Sequence, residues 1–462
     1  WLFAQDYGNQ PGWDGRTMFA NSVNVFYHPA SRNGADNGAN DGTFLPADIA
    51  IAAFDTANGV LGRDAVNGIG LLFSPVTGQV AVQIGGFGQS GNALTGARQS
   101  DFQRRLGSNI LSFLGNERDI SLGVYPVGLA DQFNPGSLTY QDLYWLDFDD
   151  PLRASRPLDA ANGTNPFDFD VFAGAAVTGE AITAAGDSGS PLVTTAFGRA
   201  VSLGVLSQGS RFFFDVTDYD DNYAWFQTFS NYGSASGYNP LFLFWDFIVA
   251  NNPYKYVGAV AGDGEWTDPT HWVQELDPLY FTLSGSTLVN GVPTTPGLGV
   301  SGATPNFGTI NPNPYPPEDC WYLGTCVTAN SGEIPVGGNN VAMPGEVSLA
   351  GDASGSTAGG GATMGTAAGA NANQANGEIQ TADGATGNEA QTGVSGSTGV
   401  WPLYPNYNTG ALTGPGTTGF VPTNTNGTAG VINSTRFFEV NLRNAGTTYL
   451  TGTSVTIDRL NV

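Results

Sequence analysis

The sequence predicts an all-β protein, and two observations carry that expectation. From the N-terminus to about residue 238, short apolar stretches alternate with Gly/Asn/Asp/Pro turns, the spacing of a sandwich or barrel. The 66 glycines and 27 prolines leave little room for long helices. The clearest candidate strands are Ser22 to Tyr27, Asp48 to Phe54, Gln79 to Ile84, Ala200 to Leu206 and Phe212 to Phe214.

One helix is expected to close this region. Asn239 is a candidate N-cap, and Pro240 sits at the first helical position, where its missing N–H costs nothing. Leu241, Phe242, Trp245, Ile248 and Val249 then recur at helical spacing, and Asn252-Pro253 stops the run.

Composition narrows the function classes. Hydrophobic residues make up 40% of the 462, enough for a sizeable core, while charged residues are only 12% and Lys255 is the sole lysine. A net charge of −25 leaves nothing to neutralise phosphates, which excludes nucleic acid as a partner and argues against adhesion to anionic lipid. Solubility accounts for this acidity. The longest apolar run, Leu241 to Ala250, is broken by Asp246 and too short to span a bilayer. With no initiator methionine or basic leader before Trp1, the chain reads as an exported piece of something longer.

Character changes after Tyr256. Residues 257–345 form a Pro/Gly-rich connecting region that contains Cys320 and Cys326, the only cysteines. Two cysteines without a nearby histidine cannot build a tetrahedral zinc site. A local Cys320–Cys326 disulfide in an oxidising compartment is the expectation, and a reduced pair the alternative. Residues 346–400 are low-complexity Gly/Ala/Thr/Ser/Asn, with too little apolar surface to offset the entropy of ordering. In 401–462 alternation returns at Arg436 to Leu442, Thr447 to Thr451 and Val455 to Leu460, the pattern of the first rungs of a β-solenoid, an array that needs further stacked units.

The strongest chemical signal is Gly186-Asp-Ser-Gly-Ser-Pro-Leu192. A nucleophilic serine needs an exposed hydroxyl on a tight turn, with backbone N–H groups aimed at the developing oxyanion. Gly186 and Gly189 permit such a turn around Ser188, and the Gly186 and Ser188 amides are candidates for the oxyanion hole. A plain turn is the alternative for the heptad alone.

The heptad resembles the serine motif of chymotrypsin-like serine peptidases, and other segments follow in that family's order. Ala47-Asp48-Ile-Ala-Ile51 is similar to the family's Asp-Ile-Ala-Leu strand, Gly86-Phe87-Gly88 to its Gly-Trp-Gly turn, and Gly204 to Ser210 to the strand lining its specificity pocket. The resemblance covers residues 1 to about 256 and implies a double β-barrel with a C-terminal helix, followed by an irregular linker and the solenoid. It implies Ser188 as nucleophile and Asp48 as orienter of a histidine. It also implies a specificity pocket at Ile182, Ser207, Gln208 and Gly209 that is apolar at its base and favours an uncharged side chain. No cofactor is implied; the partner is a protein or peptide substrate.

The general base departs from the pattern. The two histidines are His28 and His271, and His28-Pro29 resembles a non-catalytic turn of the family, so the catalytic histidine is expected upstream of Trp1, with His28 the alternative. Two acidic clusters, Asp147/Asp149/Asp150 and Asp215/Asp218/Asp220/Asp221, read as solvated loops, with calcium the alternative.

The passage from Asn252 to Val273 and the ending from Phe438 to Val462 resemble the junction and early rungs of bacterial autotransporter passengers. That resemblance implies an extracellular or cell-surface protein, self-assembly or surface attachment through the stalk, and an outer-membrane translocator outside this chain. The expected function is a secreted or surface-displayed serine endopeptidase. The alternative is an inactive, protease-like adhesin or structural surface protein.

Overall fold

The computed structural model describes residues 2–3, 18–19, 21–28, 47–55, 68–93, 96–99, 103–116, 119–120, 141–149, 151, 170–174, 176–211, 230, 232–299, 307–311, 321–322, 325–326, 414–425 and 436–462. These are mostly strands, with very little helix, so the all-β class holds. The candidate strand Phe212 to Phe214, Asp150, the second acidic cluster, Cys320 and the 346–400 segment lie outside the described residues. Cys326 is placed only as backbone, in a two-residue antiparallel pairing of Trp321–Tyr322 with Thr325–Cys326.

Two sheets matter for the site. The larger takes β3 (Gly70–Leu72), β4 (Val80–Gly86), β7 (Arg105–Leu111), β8 (Phe113–Gly115), β9 (Leu143–Asp147), β10 (Pro191–Thr194), β11 (Val201–Arg211) and β12 (Ser234–Pro240). Ahead of them β1 (Asn21–Tyr27) pairs antiparallel with β2 (Ala50–Asp55), and β5 (Ser90–Asn92) with β6 (Gly96–Gln99). The large sheet runs β8-β9-β12-β11-β10-β4-β7. Its end strands β7 and β8 are separated only by Ser112, whose N–H donates to the Trp145 carbonyl at 2.9 Å. One chain run therefore supplies both end strands of the order.

Alternation explains the interior. In β4 every second residue, Val82 and Ile84, is buried, and Leu111, Leu192, Leu203 and Tyr238 join them in one core. Each such side chain contributes about 1.5–3 kcal/mol by leaving water.

The expected helix is shorter and starts later than its sequence signals suggest. Leu241–Leu243 form a single 3₁₀ turn, and α1 covers Trp245–Asn251. Asn239 is no N-cap: it belongs to β12, where its side chain serves Asp48 instead, and Pro240 is extended (φ −70°, ψ 128°). Proline's missing N–H suits a strand end as well as a helix start. Asn252 does terminate the helix. Leu241, Phe244 and Phe247 seal the large core.

The boundary expected at Tyr256 falls inside β13 (Tyr254–Ala259). Beyond it lie β14 (Trp272–Gln274), β15 (Tyr280–Ser284), β16 (Thr287–Asn290), β17 (Phe437–Asn441) and β18 (Arg459–Asn461). The smaller sheet has the order β14-β13-β17-β18. Within it β13, β17 and β18 are parallel and in register, with Gly258 beside Asn441 and Asn441 beside Asn461. The connecting region returns to the large sheet: the β15–β16 hairpin pairs through β15 with β3, and Phe307 accepts from the Leu114 amide at 3.0 Å. The chain thus alternates between the two sheets, because the apolar residues of both segments complete separate cores.

Polar side chains tie the parallel stack. Asn461 donates to Asn441 Oδ1 at 2.8 Å and to Glu439 Oε1 at 2.9 Å, and Asn441 donates to Glu275 Oε2 at 2.7 Å. Below them a second core gathers Val257, Trp266, Trp272, Phe420, Phe438 and Val440. Both indoles donate to carbonyls there, Trp266 to Pro422 and Trp272 to Trp266.

Candidate functional site

Ser188 stands exposed on the turn between residue 184 and β10. Gly186 (φ 95°) and Gly189 (φ 78°) take the left-handed conformations that bring the chain around it. The Asp187 amide donates to the Ala184 carbonyl, the Gly189 amide to Leu206 and the Ser190 amide to Asp187. Among the described residues the Gly186 and Ser188 amides donate to no backbone acceptor. These two N–H groups beside an exposed hydroxyl are the ones the sequence nominated for an oxyanion.

Asp187 fixes the turn from below, a role that the sequence reading missed. Its buried carboxylate accepts from the Gly88 amide at 2.7 Å and the Ala184 amide at 2.9 Å. Burial raises its pKa, the two amides oppose that rise, and Arg105 opposes it further. The Gly86-Phe87-Gly88 segment wraps this carboxylate so closely that a Cβ on Gly86 would lie 2.2 Å from Asp187 Oδ1. The two glycines of that motif are thus required by Asp187.

Asp48 lies two residues ahead of β2, after Ala47 in a left-handed conformation (φ 55°). Ser207 Oγ donates to its Oδ2 at 2.9 Å, and Asn239 Nδ2 donates to its backbone carbonyl at 2.7 Å. Burial raises the carboxyl pKa, and the Ser207 hydrogen bond works against that rise. Ser207, expected in a specificity pocket, is instead the partner that orients Asp48.

Both histidines are structural in their surroundings. The His28 ring is 4% exposed and meets Phe244 and Phe247 edge-on, each at 5.1 Å between centroids. Burial lowers its pKa to about 3, so the imidazole stays neutral under ordinary conditions. Its backbone N–H donates to Ile49. His271 is buried beside Trp272, with Nε2 hydrogen-bonded to Thr448 Oγ1 at 2.9 Å.

The chain matches no protein-family model. No curated protein matches it either.

The expected specificity residues do not meet on one surface. Ile182 lines a cleft of about 290 Å³ with Ile84, Arg105, Leu106, Phe148 and Asp187. Ser207, Gln208 and Gly209 are buried in β11 and are not part of that cleft's wall. Counting along the sequence placed them together; in the fold Gln208 and Gly209 pair with Gly237 and Ser236 of β12, and all three residues are buried.

The solvated-loop expectation fails for Asp147 and Asp149, both of which are buried. Asp170, which the sequence reading did not single out, joins them: one carboxylate oxygen from each lies within 4.8 Å of the others. Burial first, then the neighbouring Asp149 charge, pushes the Asp147 carboxyl well above its usual range. Its Oδ2 also accepts from the Phe172 amide at 2.9 Å. Such oxygen donors suit a hard cation chemically, and protonation of Asp147 relieves the same repulsion without one.

Proposed function

We propose that this chain carries the nucleophile half of a serine endopeptidase centre on a chymotrypsin-like double β-barrel. The observation that supports it best is the pair of amides, Gly186 and Ser188, that among the described residues donate to no backbone acceptor and flank an exposed serine hydroxyl on a doubly left-handed turn. In this reading Ser188 Oγ attacks a peptide carbonyl, the two amides receive the developing oxyanion, and an acyl-enzyme forms on Ser188. Asp48, held by Ser207, orients the imidazole that takes the serine proton. Because His28 is committed to the core, that imidazole comes from residues outside this sequence. The large sheet, both of whose end strands come from one chain run, supports the barrel.

The same reading places the protein outside the cell or on a bacterial surface, with the small sheet as the first rungs of a β-solenoid stalk. The in-register parallel strands support this, as do Val440 and Leu460, which pair 20 residues apart, and the Asn441–Asn461 ladder.

Labelling with a fluorophosphonate probe, with and without added imidazole, tests the centre. Labelling that needs imidazole and is lost in Ser188→Ala is expected; a folded chain that resists the probe in both conditions sinks the proposal. The burial of both histidines favours one second reading, a protease-like scaffold with no chemistry. That second outcome is what it predicts.

A further inference from the structure

Lys255 is the only lysine of the chain, and it is spent in an unusual place. It lies on β13, 3% exposed, and its Nζ has no hydrogen-bond partner. An ammonium in such a position forfeits its hydration with no hydrogen bond in return, so the site favours the neutral amine. The functional centre does not use this residue.

Its position gives the burial meaning. The amine borders a cavity of about 10 Å³, the space of a single water. The cavity walls come from both structural units. Val249 of α1 and Tyr280 of β15 belong to the large core, whereas Tyr256 and Gln274 lie on β13 and β14 of the small sheet. Lys255 itself pairs with Phe438, a member of the second core. The amine thus sits in the seam where the two cores meet.

The groups facing it set the charge balance. Arg436, just ahead of β17, disfavours a second positive charge, and Asp277 favours one. Glu275 and Tyr254, with Tyr256 and Tyr280, complete the titratable surroundings. Tyr280 donates no negative charge, since burial raises its pKa and its hydroxyl accepts from Asn252 at 2.6 Å. The balance leaves Lys255 with a pKa of about 7, burial being the largest cause.

We propose that Lys255 is a proton-operated latch between the two sheets: the neutral amine is stored in the closed seam, and proton uptake favours an opened, hydrated seam that loosens the small sheet from the large one. The direction follows from linkage. The amine of an opened seam regains the ordinary lysine pKa of about 10.4, so opening becomes easier as pH falls from there to about 7 and is constant below. The latch is tight in alkali and loose at neutrality and below.

Because there is one lysine, selective 13Cε labelling of the full chain gives a single side-chain NMR resonance to titrate. A midpoint near 7 is expected; a midpoint at or above about 10 overturns the buried-amine premise. Hydrogen exchange of the β13 and β14 amides, corrected for intrinsic rates, then reads the opening. Protection should fall more than about tenfold from pH 9 to pH 7 in the parent chain and less than about twofold in Lys255→Met, which fills the site without a charge. Equal pH dependence in the two proteins overturns the latch. If Lys255→Met does not fold, Lys255→Gln is the substitute, because it also removes the titration. The readout involves neither Ser188 nor its chemistry, so its failure leaves the peptidase proposal untouched.

Discussion

The surroundings of the two sheets use their polar side chains in opposite ways. Around the large sheet, Asp187, Asp48 and Asn239 reach across the fold to loop backbone or to one another: Asp187 to the Gly88 and Ala184 amides, Ser207 to Asp48, Asn239 to the Asp48 carbonyl. In the small sheet, Glu275, Asn441, Glu439 and Asn461 bond one another along the stack. The first pattern holds a few irregular turns in one conformation, which is what a preorganised site demands. The second repeats from strand to strand and holds a register. Asp187 and Asn239 at the site and Glu439 and Asn441 in the stack are all buried, and their partners tell the two uses apart.

The largest expected effect would break the assignment of His28 to the core side of that comparison. His28 changes from an unperturbed pKa of 6.5 to about 3 on folding. Being a base with a depressed native pKa, it contributes stability that is complete above pH 6.5 and is lost as pH falls toward 3, on the order of 5 kcal/mol in all. His28→Phe should therefore move the acid-unfolding midpoint to lower pH while leaving neutral stability within about 1 kcal/mol. An unchanged acid midpoint would show that the ring is not held neutral in the core.

Next in size is Gly86→Ala, whose Cβ would meet Asp187 Oδ1. A cost of roughly 2–4 kcal/mol is expected, with loss of Ser188 labelling, because the carboxylate that anchors the serine turn must move. Denaturant melts alongside probe labelling would check both parts. In the small sheet, Asn441→Ala removes two ladder hydrogen bonds and should cost roughly 1–3 kcal/mol while sparing Ser188 entirely. If labelling falls with Asn441→Ala, the two regions are coupled more tightly than their separate cores suggest. The smallest effect is Ser207→Ala, about 1 kcal/mol in stability. Its sharper signature is a raised Asp48 pKa, since the one hydrogen bond opposing the effect of burial is gone.

Much of the fold was legible because its signals are local. The alternation in Asn21–Tyr27, Val80–Gly86 and Phe437–Asn441 placed those strands to within a residue or two. Helix signals misled at Asn239-Pro240, where two residues that suit a helix start serve a strand end equally well and a partner elsewhere in the chain decides. The specificity residues failed for a related reason. Spacing along one strand does not show whether the rest of the fold covers its faces, and Ser207, Gln208 and Gly209 are buried, outside the wall of the cleft that Ile182 lines.

The sequence by itself determined the strand content, the glycine turn around Ser188, and the Asp48 strand, since φ preferences and period-two alternation act within a few residues. Tertiary structure alone decided what those residues touch. The Asp48–Ser207 bond joins positions 159 apart, the Asp187–Gly88 bond positions 99 apart, and β13 lies beside β17 across the whole connecting region. Asp170 joined Asp147, and Lys255 went into the seam, in the same way. Contacts at such separations form only when the cores that bring the segments together have closed, and no local pattern encodes that closure.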